Sequence, residues 1–376
     1  MSQVSKCQGI NKDGSPCKRN ADLGSDFCWQ HKKQEIKSIN ELNYNLDKET
    51  ELLMYSYLPL EEVLTIFKNN IKTRDELIRR YFKDLPSIYD ASKKGELETV
   101  KYLVSLGKEP DKNILDNASL SGNLELVVYL ISLGIIPNKK TLDNASYNGN
   151  LGIVVYLISL GMKPDKNTLY TASRSGNLEL IIYLINLGIE PDKMTLDRAS
   201  ESGNLKLVRY LINLGIRPDK FTLDYGNLEI AMYLVSLGIK PDKNTLDNTS
   251  IKGNLELLVY LISLGIQPDQ NTLHLGGNSG NLELVVYLIS LGIKPDKETL
   301  DYASNNGNLE IMMYLINLGI EPDKMTLGYA SENGYLEIVK YLIGLGIEPD
   351  DDILYVANES GNLELIEYLE TIIDKN

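Results

Sequence analysis

The amino-acid sequence predicts an all-α protein built as a solenoid of tandem helical hairpins. A segment of the form Gly-Asn-Leu-Glu-Leu returns with a period of 27 residues, shortened once to 23 between Gly203 and Gly226. Apolar residues recur at helical spacing inside every copy, and strand signals are absent. A fixed period of this size is typical of a solenoid, in which each unit buries its apolar face against its neighbours. We therefore expect about eleven units, whose first glycines are Gly95, Gly122, Gly149, Gly176, Gly203, Gly226, Gly253, Gly280, Gly307, Gly334 and Gly361.

Each unit is predicted to contain a first helix and a second helix. In one copy, Asp165 is placed to cap the first helix, and Gly176 to end it in a left-handed conformation. Asn177 then caps the second helix, Gly188 closes it, and Pro191 blocks its extension. The apolar face of that second helix is formed by Leu178, Ile181, Ile182, Leu184 and Ile185.

Composition and charge restrict the classes of protein that this chain can represent. Lysine and arginine number 38 against 52 aspartates and glutamates, which gives a formal net charge of −14 and argues against a basic nucleic-acid binder. No apolar run approaches the roughly 20 residues of a membrane span, and the N-terminus lacks the apolar stretch of a secretory signal. Three cysteines are too few for a disulfide framework. We expect an intracellular monomer in a reducing compartment, the cytoplasm rather than the nucleus.

All the cysteines and one of the two histidines lie within residues 1–34. Cys7, Cys17, Cys28 and His31 have the C-x9-C-x10-C-x2-H spacing of a closed structural zinc site, and the metal would supply the folding energy of so short a segment. The spacing resembles the plant-type motif called WRC, with Ser-Pro in place of the Trp-Arg before the second cysteine. Six basic and three acidic side chains leave a nucleic-acid role open for this knot. We expect a structural Zn²⁺.

Residues 41–82 match neither the knot nor the repeats. The stretch 46–77 resembles an F-box, a motif that docks onto the Skp1 subunit of ubiquitin ligases and presents a substrate-binding module on the same chain. The alternative is a helical cap that shields the first repeat from water, and the two roles are compatible. The residues expected to dock are Leu58, Pro59, Leu60, Val63 and Leu64.

Residues 86–376 form the repeat array, whose unit resembles the ankyrin repeat. The stretch ILDNASLSGNLELVVYLISLG, from Ile114 to Gly134, has a short first helix, a glycine and a longer second helix that ends in L-x-x-L-G. Ankyrin units usually run longer and carry a long finger, whereas about six residues join the units here. The short form is similar to ankyrin-type families of large DNA viruses, which suggests a virus-infected host cell. The resemblance implies a scaffold that binds proteins without catalysis.

Motifs that carry chemistry are absent from the array. The sequence contains no phosphate-binding loop, no zinc-protease motif and no nucleophile elbow. His274 is the only histidine outside the knot, and it stands where most units have aspartate, so we interpret it as a local variant on a helix surface. We therefore predict that the protein is not an enzyme.

Arginine and aromatic residues single out one region of the array for partner binding. Past residue 80, every arginine lies between residues 174 and 217. The adjacent 23-residue unit lacks about one turn of its first helix, which predicts a notch beside two aromatic rings. Arginine and aromatic rings are enriched at binding hot spots, and the arginines would favour an acidic partner segment. The predicted binding residues are Arg174, Arg198, Arg217, Phe221 and Tyr225.

Overall fold

A computed structural model describes residues 52, 53, 55–82 and 84–373, and over these residues the predicted all-α fold is confirmed. They form 24 helices and no strand. The first two precede the array: α1 (Leu60–Ile66) and α2 (Ile71–Tyr81). The first helices of the repeats are α3 (Ile88–Lys94), α5 (Lys112–Ser121), α7 (Lys139–Tyr147), α9 (Lys166–Ser175), α11 (Lys193–Glu201), α13 (Lys220–Tyr225), α15 (Lys243–Ile251), α17 (Gln270–Asn278), α19 (Lys297–Asn305), α21 (Lys324–Glu332) and α23 (Asp351–Ser360). The second helices are α4 (Leu97–Ser105), α6 (Leu124–Ser132), α8 (Leu151–Ser159), α10 (Leu178–Asn186), α12 (Leu205–Asn213), α14 (Leu228–Ser236), α16 (Leu255–Ser263), α18 (Leu282–Ser290), α20 (Leu309–Asn317), α22 (Leu336–Gly344) and α24 (Leu363–Ile373).

Contacts divide the chain into two compact units. The described part of the first unit runs to Ala172 and adds Glu179–Leu187. The second unit comprises Ser173–Leu178 and the chain from Gly188 onward. Within each unit the first helices of successive hairpins pack side by side, for example α5 on α7 in the first unit and α17 on α19 in the second.

Local capping sets the ends of the helices, as the sequence predicts. Gly176 and Gly188 have φ angles of 75° and 91°, which place them in the left-handed region that ends a helix. Asp192 caps α11 by accepting a hydrogen bond from the Thr195 amide, while the Thr195 hydroxyl accepts one from the Asp192 amide. This reciprocal pair satisfies two of the amide groups that the first turn of a helix leaves without partners. The linkers between hairpins are six residues long, as in the segment 106–111 between α4 and α5, and they contain no strand.

The apolar core runs along the second helices. Leu126, Val127 and Leu130 of α6 are fully buried, and so are Leu142 and Ala145 of α7. The small alanine and serine side chains of the first helices allow neighbouring hairpins to approach closely. Packing of this kind supplies about 25 cal/mol for each Å² of apolar surface removed from water, so it is the main source of stability.

Buried hydrogen bonds between neighbouring first helices lock the register of the hairpins. The Thr272 hydroxyl of α17 donates to Oδ1 of Asp247 on α15 at 2.9 Å, and the Thr326 hydroxyl of α21 donates to Oδ1 of Asp301 on α19 at 2.9 Å. We call each such threonine–aspartate bond a rung. Other rungs join Thr141 to Asp116, Thr168 to Asp143, Thr222 to Asp197 and Thr245 to Asp224.

Lysines at the starts of the first helices support the rungs. Lys243 contacts Asp247 of its own helix at 2.5 Å and the capping Asp269 of the next helix at 2.8 Å. Lys297 bridges Asp301 and Asp323 in the same way, at 2.5 and 2.9 Å. One ammonium group therefore ties two successive hairpins together at each of these junctions.

The segment before the array forms a cap on its first hairpin. Leu58 and Val63 lie in a buried cluster with Leu77, and Leu60 and Leu64 lie in a second cluster. The Glu61 carboxylate accepts hydrogen bonds from the amides of Glu98 and Thr99, at 3.0 and 2.6 Å, in the first turn of α4. The side chain of Glu96, the residue before α4, does not cap that helix. Glu61 supplies the acceptor instead, from a distant part of the chain. These contacts join the segment to the first hairpin of the array.

The shortened unit loses part of its first helix, as expected. Helix α13 has 6 residues, whereas α11 and α15 have nine each. Gly226 follows directly with φ −74°, outside the left-handed region that its counterparts adopt. The Asn227 side chain still donates from Nδ2 to the carbonyl oxygen of Gly203 at 3.1 Å, so the second helix keeps its link to the preceding hairpin.

A comparison of two threonines tests the contribution of a rung to stability. Thr272→Val removes a rung and leaves Asp247 short of a donor, whereas Thr299→Val removes no rung because His274 stands where the aspartate would be. We expect Thr272→Val to lower the free energy of unfolding by about 1–3 kcal/mol, and by more than Thr299→Val does. Urea unfolding followed by circular dichroism measures both variants, and equal losses would show that the rung contributes nothing of its own.

Candidate partner-binding surface

Two of the arginines predicted to bind a partner share one carboxylate of the same protein. Arg174 Nη2 lies 2.6 Å from Oε1 of Glu201, and Arg198 Nη1 lies 3.0 Å from Oε2. All three side chains are partly exposed on first helices, and each arginine takes one oxygen. The two arginines and the glutamate together carry a net charge of +1, whereas the arginines alone would carry +2.

The other two arginines of this region lie elsewhere on the repeat. Arg217 is exposed in the linker between α12 and α13. Arg209 lies on second helix α12, with its guanidinium 4.7 Å from the ring centre of Tyr233. The four arginines that are close in the sequence therefore do not form one patch.

The two predicted aromatic residues lie on the shortened helix α13. Phe221 and Tyr225 are four residues apart, so they share one face of the helix, and the Phe221 side chain is 66% exposed. Lys252, which ends α15, places its ammonium group 5.3 Å from the ring centre of Tyr225 and donates to the carbonyl oxygen of Asp224 at 2.9 Å. The missing turn of α13 thus leaves aromatic rings exposed beside a cation.

Burial shifts the pKa values of the two charged groups beside Tyr225. Desolvation lowers the pKa of Lys252, and the attraction of Asp224 and Glu201 only partly offsets that effect. Desolvation also raises the pKa of Asp224, against the hydrogen bond from Thr245 and the attraction of Lys220. The Lys252 side chain nevertheless lies at the surface, as the Tyr225 ring does.

A second feature of the same face is a hollow of about 430 Å³ between α19 and α21. We call it the tyrosine–carboxylate hollow. Its walls hold two aromatic rings and two carboxylates on neighbouring first helices. The lining residues are Glu298, Asp301, Tyr302, Asn305 and Tyr329.

The position of His274 corrects its interpretation as a surface variant. The residue is only 8% exposed, and its Nε2 lies 2.9 Å from Oδ1 of Asp296, the residue that caps α19. Its ring stacks on Tyr302 with 5.9 Å between the ring centres. Gln270 also contacts Asp296, at 2.9 Å. His274 and Gln270 thus contact the capping Asp296, as a lysine contacts the capping aspartate at other junctions. By stacking on Tyr302, His274 packs against one wall of the tyrosine–carboxylate hollow.

A similar hollow of about 370 Å³ lies beside α3 and α5 in the first unit. Tyr89 lines it together with the carboxylates of Glu109, Asp111 and Asp116. Here Lys140 of the same chain reaches in, with its Nζ 3.7 Å from Oδ2 of Asp116. A basic side chain therefore lines this hollow together with its carboxylates.

The structure buries most of the residues predicted to dock onto Skp1. Leu58, Leu60, Val63 and Leu64 are all buried in the cap, and Pro59 alone is exposed. The exposed apolar side chains of this segment are others: Leu53, Tyr57, Ile66 and Ile71.

The predicted zinc ligands Cys7, Cys17, Cys28 and His31 lie outside the described residues. Within the described ranges, no group of three or more histidine, cysteine, aspartate or glutamate side chains is arranged to hold a metal ion. None of the helices described combines the length and the apolar character that crossing a membrane requires.

Residues 142–222, 273–353 and 300–376 match the family model described as ankyrin repeats (3 copies). These segments are ankyrin repeats. No curated protein matches the chain. Among solved structures, the chain is similar to the crystal structure of the human ASB11 ankyrin repeat domain, with 19% identity and a TM-score of 0.30 over 48% of this chain and 85% of that one. Because so low a TM-score does not establish a common fold, the assignment rests on the family model.

The match to ankyrin repeats indicates what kind of role the first-helix face can have. Ankyrin repeats generally serve as protein-interaction scaffolds, and they do so without catalysis. Beyond residue 222, where the first matched segment ends, Asp224 still forms a rung and Asn227 still caps α14, although Gly226 does not adopt the left-handed conformation. The arginine cluster and the tyrosine–carboxylate hollow both lie on first helices of this array.

Sequence reasoning missed two contributors to this surface. Glu201 was not recognised as the partner of the arginines, because it belongs to a different turn from Arg198 and to a different helix from Arg174. Tyr329 was also missed, although it occupies the same position in its unit as Tyr302 does in the preceding one. The repetition of an aromatic residue at that position in adjacent units was the signal that could have identified the hollow.

The pKa values of the helix-capping aspartates determine how the stability of the fold should depend on pH. Burial is the largest single effect on most of their pKa values and raises them, but hydrogen bonds from a lysine, or from His274 at Asp296, and from first-turn amides outweigh it. Their pKa values therefore lie below the ordinary 3.8. At Asp350 the hydrogen bond from Lys324 is itself the largest effect. The aspartates concerned are Asp165, Asp219, Asp242, Asp269, Asp296, Asp323 and Asp350.

A folded-state pKa below the unfolded value stabilises the protein at neutral pH, and the stabilisation is lost as the pH falls through the folded value. We expect the melting temperature to drop steeply below about pH 4. The drop should be shallower in a variant with Lys243→Met and Lys297→Met, because two caps lose the cation that lowers their pKa. Melting curves from pH 6 to pH 2 measure this, and identical slopes in the two proteins would contradict it.

Proposed function

We propose that the protein is a non-enzymatic scaffold that binds a protein partner through the first-helix face of its ankyrin repeats. The observation that carries the proposal is the contrast between the two parts of each repeat. The rungs and core leucines repeat almost unchanged, whereas exposed first-helix positions change from unit to unit and place Phe221 and Tyr225 at the surface. Exposed aromatic rings are typical of binding hot spots, and Lys252 lies beside the ring of Tyr225.

The charges on this face indicate what the partner offers. The cluster of Arg174, Arg198 and Glu201 and the neighbouring Lys252 are together positive, so the segment that binds there carries acidic side chains. Arg217 adds a positive charge from the linker before α13. The tyrosine–carboxylate hollow has the opposite character.

Replacing Arg198, Arg217 and Phe221 together by alanine tests the scaffold function. We expect the triple variant to recover its partners from native-cell lysate roughly fivefold less well than the unmodified chain, because hot-spot residues dominate binding energy. Affinity purification with quantitative mass spectrometry measures the recovery.

The matched control alters the second-helix face with the same chemistry. Lys206→Ala, Arg209→Ala and Met232→Ala remove two cations and one exposed apolar side chain there. This control should recover partners normally. Equal recovery by both triple variants and by the unmodified chain would refute a role for the first-helix face.

We propose as a second candidate function that the chain is a substrate adaptor which binds Skp1 through its F-box-like segment. The exposed apolar side chains of Leu53, Tyr57, Ile66 and Ile71 support this candidate, since they offer apolar surface on a small helical cap to a partner. In this case the cap would both shield the first repeat and carry the ligase contact.

Exposed and buried substitutions in the cap separate docking from folding. Leu53→Ser and Tyr57→Ser together should abolish co-purification with Skp1 while the helical circular dichroism stays unchanged, because both side chains are exposed. Leu58→Asp places a charge in a buried cluster and should lower the melting temperature as well. Skp1 binding that survives the double substitution, or that is absent from the unmodified chain, would eliminate the adaptor function.

A further inference from the structure

The rung aspartates use their two carboxylate oxygens differently. Oδ1 accepts from the rung threonine, and Oδ2 faces the residue that directly precedes that threonine, which we call the tip residue. Asn167 donates to Oδ2 of Asp143 at 2.9 Å, and Asn271 donates to Oδ2 of Asp247 at 3.0 Å. At Asp116 the tip residue Lys140 forms an ion pair instead, with its Nζ 3.7 Å from Oδ2. The tip residue thus donates a hydrogen bond to the second oxygen at Asp143 and Asp247 and places a charge near it at Asp116.

Asp301 lacks this tip donor. Its Oδ1 is bonded to Thr326 and Lys297, but its tip residue is Met325, whose side chain has no donor. Among the described residues, none donates a hydrogen bond to its Oδ2. Asp197, whose tip residue is Phe221, shares this lack of a tip donor. The Asp301 side chain lines the tyrosine–carboxylate hollow, so an acceptor that Asp143 and Asp247 pair with their tip residues is available to a ligand there.

The rest of the hollow suits a cationic donor. Glu298 contributes a second carboxylate whose side chain is 63% exposed and lies 3.7 Å from Nδ1 of His274. Tyr302 and Tyr329 supply ring faces, to which ammonium and guanidinium groups are attracted. Asn305 adds a polar side chain at the rim. In the hollow beside α5, the basic side chain of Lys140 lines the wall and pairs with Asp116 at 3.7 Å.

We propose that the tyrosine–carboxylate hollow binds a lysine or arginine side chain from a basic segment of a protein partner. The head group would donate to Oδ2 of Asp301, as the asparagine tip residues do elsewhere, and would pair with Glu298 while its alkyl stem packs on the two tyrosines. A net charge of −14 on the whole chain favours the approach of such a segment. The inference rests on the scaffold function and names the chemistry that one of its sites recognises.

Peptide binding to the full chain tests this inference directly. The probes are three fluorescein-labelled peptides in which glycine alternates with arginine, with lysine or with glutamate, followed by fluorescence anisotropy at low salt. We expect the arginine or lysine peptide to bind and the glutamate peptide not to bind this site. Met325→Asn should weaken binding ~5-fold or more, because the new amide takes up Oδ2 of Asp301. Glu298→Gln and Tyr329→Ala should weaken it as well.

Two features of the design keep the outcome decisive. Met325→Asn copies a pairing that the array uses at other junctions, so its melting temperature should equal or exceed that of the unmodified chain. Met194→Asn is the matched control, since the preceding unit has Tyr170 in place of a rung aspartate, and it should bind normally. The proposal would be overturned if the basic peptides bound Met325→Asn and Glu298→Gln as tightly as they bind the unmodified chain. It would also be overturned if the unmodified chain bound the basic peptides no more tightly than the glutamate peptide. Capture of native partners would be unaffected by that result, so the scaffold function is judged separately.

Discussion

The hydrogen bond between a buried threonine and the aspartate of the preceding hairpin is the constraint on which this structure depends. A leucine-rich seam alone would hold the helices together, but it would tolerate sliding of one hairpin along the next. A buried hydroxyl and a carboxylate must find partners, and only one register brings Thr272 to Asp247 or Thr326 to Asp301. The lysines that start the first helices reinforce the same register from the solvent side.

Because the rungs and the core secure the fold, the exposed positions between them are free to differ. Tip residues range from Lys140 to Phe221 and Met325, and none of these changes disturbs a buried contact. The same freedom produces two surfaces of opposite character on the first helices. One presents arginines and exposed rings, and the other presents tyrosines and carboxylates. A scaffold with both can select a partner by its pattern of charge as well as by its shape.

The cap illustrates how one segment serves stability and leaves a surface available. Its buried leucines cover the end of the array, and Glu61 reaches across to the first turn of α4. An isolated terminal hairpin would expose its apolar face and lose capping partners, so repeat proteins require such an end. The side chains that remain outside, including Leu53 at 46% exposure, belong to neither cluster and lie on the surface of the cap.

Helix positions, the left-handed glycines such as Gly176, the short linkers and the truncated α13 could all be predicted from the sequence. Each depends on residues that are near neighbours in the chain, and eleven copies of one pattern make the local signals unambiguous. The pairing of Glu201 with two arginines, the burial of His274 against Asp296 and the hollow at Tyr329 could not. Apart from the contact of Arg198 with Glu201 three residues later, they arise where residues more than twenty positions apart meet across two hairpins, and only packing determines which side chains face each other there.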